Sequence, residues 1–454
     1  MNRSQRLRWQ ATALMAAAAL TVTACSSSST STTTSTSTSS AALTASAPGV
    51  TTTTITIGSH QPLTGPAAPG YSEIAPASNA YFQYVNANGG IYGRKIKYTY
   101  LDDGYNPTTT SSVVHQLVLQ SGVYAIFNGL GTPTHLAAIS FLNAQKVPDV
   151  FVASGCSCWN NPAQYPMTFG WQIDYVREGK ILGQYVAQHF KGMKVGYFYQ
   201  NDEFGLDGVK GLDYEIPASM VVSRQSYALA DVNIASQVAA LKASGAQVVV
   251  TFAIPAFDAL LKLYSLKLSY NPALVASNTG TDPTTLGGLV SAYAKQAGTT
   301  LNGSALINGI ITDYYAPSLG DTSNSWTALW KKVHDQYDAK APFDGNVQYG
   351  MEVAYTFVQA MFNAGRNPTR ASLISAIQAG LPQGPILAPY AYSATDHAGM
   401  TGAYIAKIDN GVFVQQGPVM VTDTTPTGAI TTFSGTEQQA PASGIPSASA
   451  SASS

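Results

Sequence analysis

Charge is scarce in this chain. Of 454 residues only 10% are Asp, Glu, Lys or Arg, against about a quarter in an ordinary globular protein. The surface must therefore be wetted by Ser, Thr, Asn and Gln. The formal net charge is −1, and no Lys/Arg cluster follows the N-terminus, so the electrostatic footprint of a nucleic-acid binder is missing. No G-x-S-x-G elbow, H-E-x-x-H pair or P-loop occurs, which removes the common enzyme signatures. Asp102-Asp103 is the nearest approach to an acid–base pair. Adjacent residues at a strand end point opposite ways, and with no evident partner they read as polar loop residues. The six His are scattered; His60 and His135 fall in loops where they are equally ligand contacts or solvated side chains.

Long hydrophobic runs are absent too. Ala11 to Val22 is apolar but too short for a comfortable membrane span, and it follows Arg3, Arg6 and Arg8. That pattern is an export signal. Val22-Thr23-Ala24-Cys25 resembles the lipobox of bacterial lipoproteins, which makes residues 1–24 a signal peptide and Cys25 the lipidated first residue. Ser26 to Ser40 is unbroken Ser/Thr, so residues 25–51 are expected to be a disordered tether. From about Thr422 the composition is again Ser, Thr, Pro, Ala and Gly, and 422–454 is expected to be a disordered tail. The remaining cysteines, Cys156 and Cys158, allow a strained disulfide, a metal site lacking further ligands, or two small loop thiols.

Hydrophobic content of 45% is ample for a core. Ala77, Ala80, Tyr81, Tyr84 and Val85 mark one helix face, stopped by Gly89-Gly90. Lys95 to Leu101 alternates, with Ile96, Tyr98 and Tyr100 on one side, as a half-exposed strand does. Strands at Thr54–Gly58, Tyr124–Phe127 and Asp149–Ala153 alternate with helices. The rhythm restarts after about Tyr175 with strands at Lys194–Tyr199, Met220–Ser223, Gln247–Phe252 and Ala273–Ser277. Two βαβ runs predict an α/β chain of two doubly wound, Rossmann-like lobes.

Such sheets bind ligands beyond the carboxyl ends of their strands. The most informative of those loops is Asn128 to Thr134. Thr132 is a good N-cap and Pro133 suits the first helical position. The free N–H groups there, with the Thr132 and Thr134 hydroxyls, would form an anion site suited to a carboxylate. Thr281-Asp282-Pro283 has the same form, with Asp282 favoured as a plain cap.

Ile55-Thr56-Ile57-Gly58, Pro62-Leu63-Thr64-Gly65-Pro66, Val85 to Ile96 with its Asn-Gly-Gly-Ile-x-Gly-Arg run, and Asp102-Asp103 with Asn106-Pro107 resemble the branched-chain amino acid binding proteins of ABC transporters. These are type I periplasmic binding proteins. The resemblance covers most of Thr52 to Val421. It implies two lobes joined by three crossover segments around an interlobe cleft: 52–175 with about 308–385, and 176–307 with about 386–421. It places Thr132 at the ligand carboxylate, Cys156 and Ser157 beside it, and Phe204 as the covering aromatic. Asn278 falls where amino-acid binders of the family carry a Glu for the ligand ammonium. A desolvated ammonium without a charge partner would cost several kcal/mol, so the expected solute keeps a carboxylate but need not be an α-amino acid. Tyr71, Tyr105, Trp159, Phe204 and Phe257 are expected to give an aromatic cleft for an apolar or cyclic body.

The expected protein is thus a monomeric, exported lipoprotein anchored outside the cytoplasmic membrane, without cofactor or metal. It would capture a small solute and deliver it to an ABC permease. A ligand sensor on the same fold is the alternative, and a hydrolytic enzyme a distant third.

Overall fold

Each lobe is organised by one sheet. A computed structural model describes residues 42–449; the expected signal peptide, Cys25 and most of the tether lie outside the described residues. Residues from Leu43 onward form one compact unit. The first lobe holds β1 (Thr54–Gln61), β2 (Lys95–Asp102), β3 (Ile126–Phe127), β4 (Asp149–Val152) and β5 (Thr168–Gly170). They lie in the order β2-β1-β3-β4-β5, all parallel. Ile55 and Ile57 of β1 are fully buried, as a strand covered on both faces requires.

The second sheet holds β6 (Val195–Gln200), β7 (Val221–Tyr227), β8 (Val248–Phe252), β9 (Ala273–Ala276) and β10 (Ile311–Tyr314). It continues with β11 (Gly402–Asp409), β12 (Val412–Gln415), β13 (Met420–Val421) and β14 (Thr431–Thr432). Its order is β14-β13-β11-β10-β9-β8-β6-β7, with β12 paired to β11. Strands β6 to β10 are parallel, and β11 to β14 add an antiparallel edge.

Helix Gly345–Asn363 packs on helix Ile74–Ala87 in the first lobe. The contact requires Gly350: a Cβ there would lie 2.3 Å from the Ile74 carbonyl oxygen. The Ser78 hydroxyl donates to the Gly350 carbonyl at 2.7 Å across the same contact.

The chain crosses between lobes after β5, after β10 and before β11. Because β10 sits between β9 and β11, the second lobe reclaims the start of the 308–385 segment expected in the first. A fourth crossing was not expected. After β14 the chain returns to the first lobe, where Trp326 Nε1 donates to the Gln438 carbonyl at 2.6 Å and the Tyr84 and Tyr81 hydroxyls donate to the carbonyls of Ser443 (2.7 Å) and Gly444 (2.9 Å). The expectation of a disordered tail is corrected for 422–449. Its own apolar content is low, but its backbone satisfies buried donors of the lobe. The tether boundary moves likewise. Val50 is buried, and Arg94 donates to the carbonyls of Thr44 and Thr51.

Candidate functional site

The strand ends of both lobes and the crossing segments line one cleft. The first lobe contributes Tyr71, Tyr105, Gly131 and Thr132. The second contributes Tyr175, Phe204, Ile254, Asn278 and Asp282. Helix Gly345–Asn363 of the first lobe adds Tyr349 and Glu352, and the second lobe adds Tyr314, Tyr315 and Phe413.

The arrangement is closed. The Tyr71 hydroxyl donates across the cleft to the Thr279 carbonyl at 2.6 Å. Gly345 N–H donates to Asp282 Oδ2 at 2.9 Å, and Asn346 Nδ2 to the Thr285 hydroxyl at 3.0 Å. On the other rim, Ser157 donates its N–H (2.7 Å) and its hydroxyl (3.1 Å) to the Asp207 carboxylate.

At the first-lobe end, helix Thr132–Ala144 opens into the cleft. Gly131, at φ 103°, is the cap residue, so the helix begins one residue earlier than the Thr132 cap expected from sequence. Only glycine takes that φ at little cost, and a Cβ would lie 2.4 Å from the Tyr105 ring. The Thr132 hydroxyl sits 2.7 Å from that of Ser154. A helix N-terminus beside two hydroxyls is suited to a carboxylate. Thr134 does not join it: its buried hydroxyl donates to the Leu130 carbonyl at 2.6 Å, satisfying an acceptor of the preceding turn.

At the opposite end, Asn278 rests on two buried carboxylates. Its Nδ2 donates to Glu178 Oε1 at 3.1 Å and to Asp313 Oδ2 at 2.9 Å, which leaves Oδ1 as its acceptor toward the cleft. Burial, and then the charge of Asp313, push the Glu178 carboxyl well above its ordinary range. Asp282 caps helix Pro283–Gln296 through Thr285 N–H at 2.8 Å, the role favoured from sequence. Glu352 is 1% exposed; its Oε1 accepts from Gln348 Nε2 at 2.9 Å, and the Trp330 indole lies beside the same carboxyl. Burial raises both carboxyls, Glu352 strongly.

Of the residues picked from sequence, Tyr71, Tyr105, Thr132, Phe204 and Asn278 line this cleft. Cys156 and Ser157 do not. Cys156 is joined to Cys158 in a disulfide, and Ser157 is committed to Asp207. Trp159 is buried in the first lobe, where its indole N–H donates to the Ser154 carbonyl. Phe257 lies behind the wall, stacked on Tyr227 at 3.8 Å. Tyr175, Tyr314, Tyr315, Tyr349, Glu352 and Phe413 escaped the sequence reading. Tyr314 ends β10 and Tyr315 follows it, so the strand-end rule that selected the other loops reaches them once β10 is recognised.

His60 and His135 are neither ligand contacts nor solvated. Both are fully buried in a chain running Asp103–His60–His135–Asp149, with spacings of 2.8, 2.9 and 2.8 Å. Asp103, read as a polar loop residue, thus has a buried partner. The described residues contain no group of His, Cys, Asp and Glu suited to a metal ion, and no described helix is long and apolar enough to cross a membrane.

A sequence model described as "Periplasmic binding protein" matches residues 54–412. The Leu/Ile/Val-binding protein homolog 8 of Brucella abortus is 23% identical over 347 residues, 73% of this chain and 82% of the relative. Homolog 3 of Brucella melitensis is 24% identical over 208 residues, 43% of this chain, which spans about half (53%) of that relative. Among solved structures, a branched-chain amino acid ABC transporter protein from Thermus thermophilus with bound valine superposes with TM-score 0.70 at 16% identity. It covers 82% of this chain and 97% of its own. A fatty acid ABC transporter substrate-binding protein from Thermomonospora curvata also reaches 0.70, at 22% identity over 82% and 93%.

Proposed function

The chain belongs to the periplasmic binding protein family, and from that premise we propose that it captures a small solute outside the cytoplasm and delivers it to an ABC permease. The solute bears a carboxylate or similar acceptor at one end and an apolar or cyclic body. Export through the leader and lipid anchoring at Cys25 are part of this reading.

The observation that carries it is the cleft itself. Two lobes and their crossing segments converge on one enclosed space, with the helix at Thr132 opening at one end and rings of Tyr and Phe forming the body. A ligand that touches both lobes favours the closed arrangement over the open one. The valine and fatty acid named for the two solved structures both carry a carboxylate, the group the Gly131–Thr132 end suits. Thr132, Tyr71, Phe204 and Asn278 are the proposed contacts.

The test is calorimetric titration of the folded chain, tail included, against leucine, valine, short amides and amine-free aliphatic and aromatic carboxylates. Binding of at least one carboxylate is expected, weakened about tenfold by Thr132→Ala, a loss matching one hydrogen bond to a charged group. If no carboxylate binds, or if Thr132→Ala binds them all as well as the parent, the carboxylate assignment fails.

A further inference from the structure

Ser157 reaches across the rim from inside a disulfide loop. Its N–H (2.7 Å) and its hydroxyl (3.1 Å) both donate to the Asp207 carboxylate of the second lobe. The residues on either side of it, Cys156 and Cys158, are joined to each other. Ser157 is the single residue that this loop encloses, so its backbone donor is held by two covalent paths instead of one.

The same segment reaches back to the solute cleft. Ser154 Oγ accepts from the Cys156 N–H at 3.2 Å and sits 2.7 Å from the Thr132 hydroxyl. The Trp159 indole N–H holds the Ser154 carbonyl at 2.8 Å. Thr132, Ser154, Cys156, Ser157 and Asp207 thus form one connected line from the cleft wall to the second lobe.

The two sulfurs are not equivalent. Cys156 is buried and Cys158 is partly exposed. A thiolate arriving from solvent meets Cys158 and expels Cys156 as the leaving thiolate. The Cys158 N–H already donates to Cys156 Sγ at 3.3 Å, and Lys210 lines the hollow beside Cys156. A donor and a cation near the departing sulfur favour its thiolate form.

We infer that Cys156–Cys158 is a thiol–disulfide exchange site whose co-reactant is a dithiol, and that its oxidised form holds the lobes closed through Ser157. The first thiolate of the dithiol attacks Cys158 Sγ, forming a mixed disulfide and releasing Cys156, which takes up a proton. The second attacks the mixed disulfide and releases Cys158, which takes up another. Two electrons and two protons pass to the chain, and the dithiol leaves as a disulfide. Cutting the loop frees the Ser157 backbone, which must then be ordered each time the lobes close. Ordering one residue's backbone weakens such an equilibrium about fivefold or more. This inference rests on the proposed capture of a solute between the lobes, since reduction weakens the closed arrangement.

With Cys156 and Cys158 joined, only Cys25 remains, so dithiothreitol has one bond within the chain to cut. Amide hydrogen exchange at Ser157 and small-angle scattering are measured on the whole chain, oxidised and reduced, with no solute added. Reduction is expected to speed Ser157 exchange about fivefold or more and to enlarge the radius of gyration. Cys158→Ser, which lacks the disulfide without any reductant, should match the reduced parent. Asp207→Ala should exchange fast in both redox states, so that reduction adds nothing to it. Equal exchange or an equal radius in the two states of the parent overturns the hold on the lobes. So does an oxidised parent that exchanges as fast as Asp207→Ala, or a full further acceleration on reducing that variant. Failure of dithiothreitol to reduce the folded chain, read by counting thiols, overturns the exchange site. No solute enters these measurements, so failure of the solute-capture reading shows separately, in the titrations.

Discussion

The side-chain amide of Asn278 donates to Asp313 Oδ2 at 2.9 Å, and the Asn278 backbone N–H donates to Oδ1 of the same carboxylate at 3.1 Å. The residue expected to replace an acid therefore sits on one. Glu178 shares the arrangement, accepting from the same two nitrogens. The acid has not vanished from this end of the cleft but lies one layer below its wall.

Asn278→Ala removes one donor from each of two buried carboxyls. Leaving a buried acceptor unsatisfied costs about 1–3 kcal/mol. Urea unfolding of the variant is expected to show a loss in that range with an unchanged m-value, together with weaker ligand binding. Unchanged stability would mean that the backbone N–H alone satisfies the pair.

Ser157 and Asp207 join the lobes at the rim opposite Tyr71 and Thr279. Asp207→Ala should lower ligand affinity about tenfold through faster release, since the hydrogen bonds lost belong to the closed arrangement. Stopped-flow dissociation and small-angle scattering of the ligand-free chain check it. A slower release or a more compact ligand-free chain would contradict the role.

Asp344 gives a pH signature. Burial first, then the charges of Asp282 and Glu73, push its carboxyl from 3.8 up to about 9. Below about pH 4 it is protonated in folded and unfolded chains alike, and its contribution is fully present. Between about pH 4 and 9 the unfolded carboxyl ionises while the folded one keeps its proton, so stability falls as pH rises. Asp344→Asn keeps the helix cap and removes the ionisation. Its melting temperature should fall less than the parent's across that window. Parallel curves would show that Asp344 does not carry the effect.

Sequence pattern was most legible where burial repeats regularly. The alternation of Lys95–Leu101 became β2, and Ala77, Ala80, Tyr81 and Val85 became a buried helix face. Chemistry assembled from distant residues was not legible. His60 and His135 stand 75 positions apart and meet only because β1 ends against the helix after β3. Nor could composition foresee the ordered tail, since hydrophobicity counts only a segment's own side chains. The donors that hold it, Tyr81, Tyr84 and Trp326, belong to the first lobe.

The return of the chain to the first lobe sets a mechanical limit. Phe433 is still tied to the second lobe through Val419, while Glu437 already accepts from Asn324 of the first. The four Cα steps between them extend to at most about 14 Å. However wide the mouth of the cleft swings, its far edge cannot separate beyond that length without unzipping either β14 or the tail. The stroke of the jaws is thus set by a leash of three free residues.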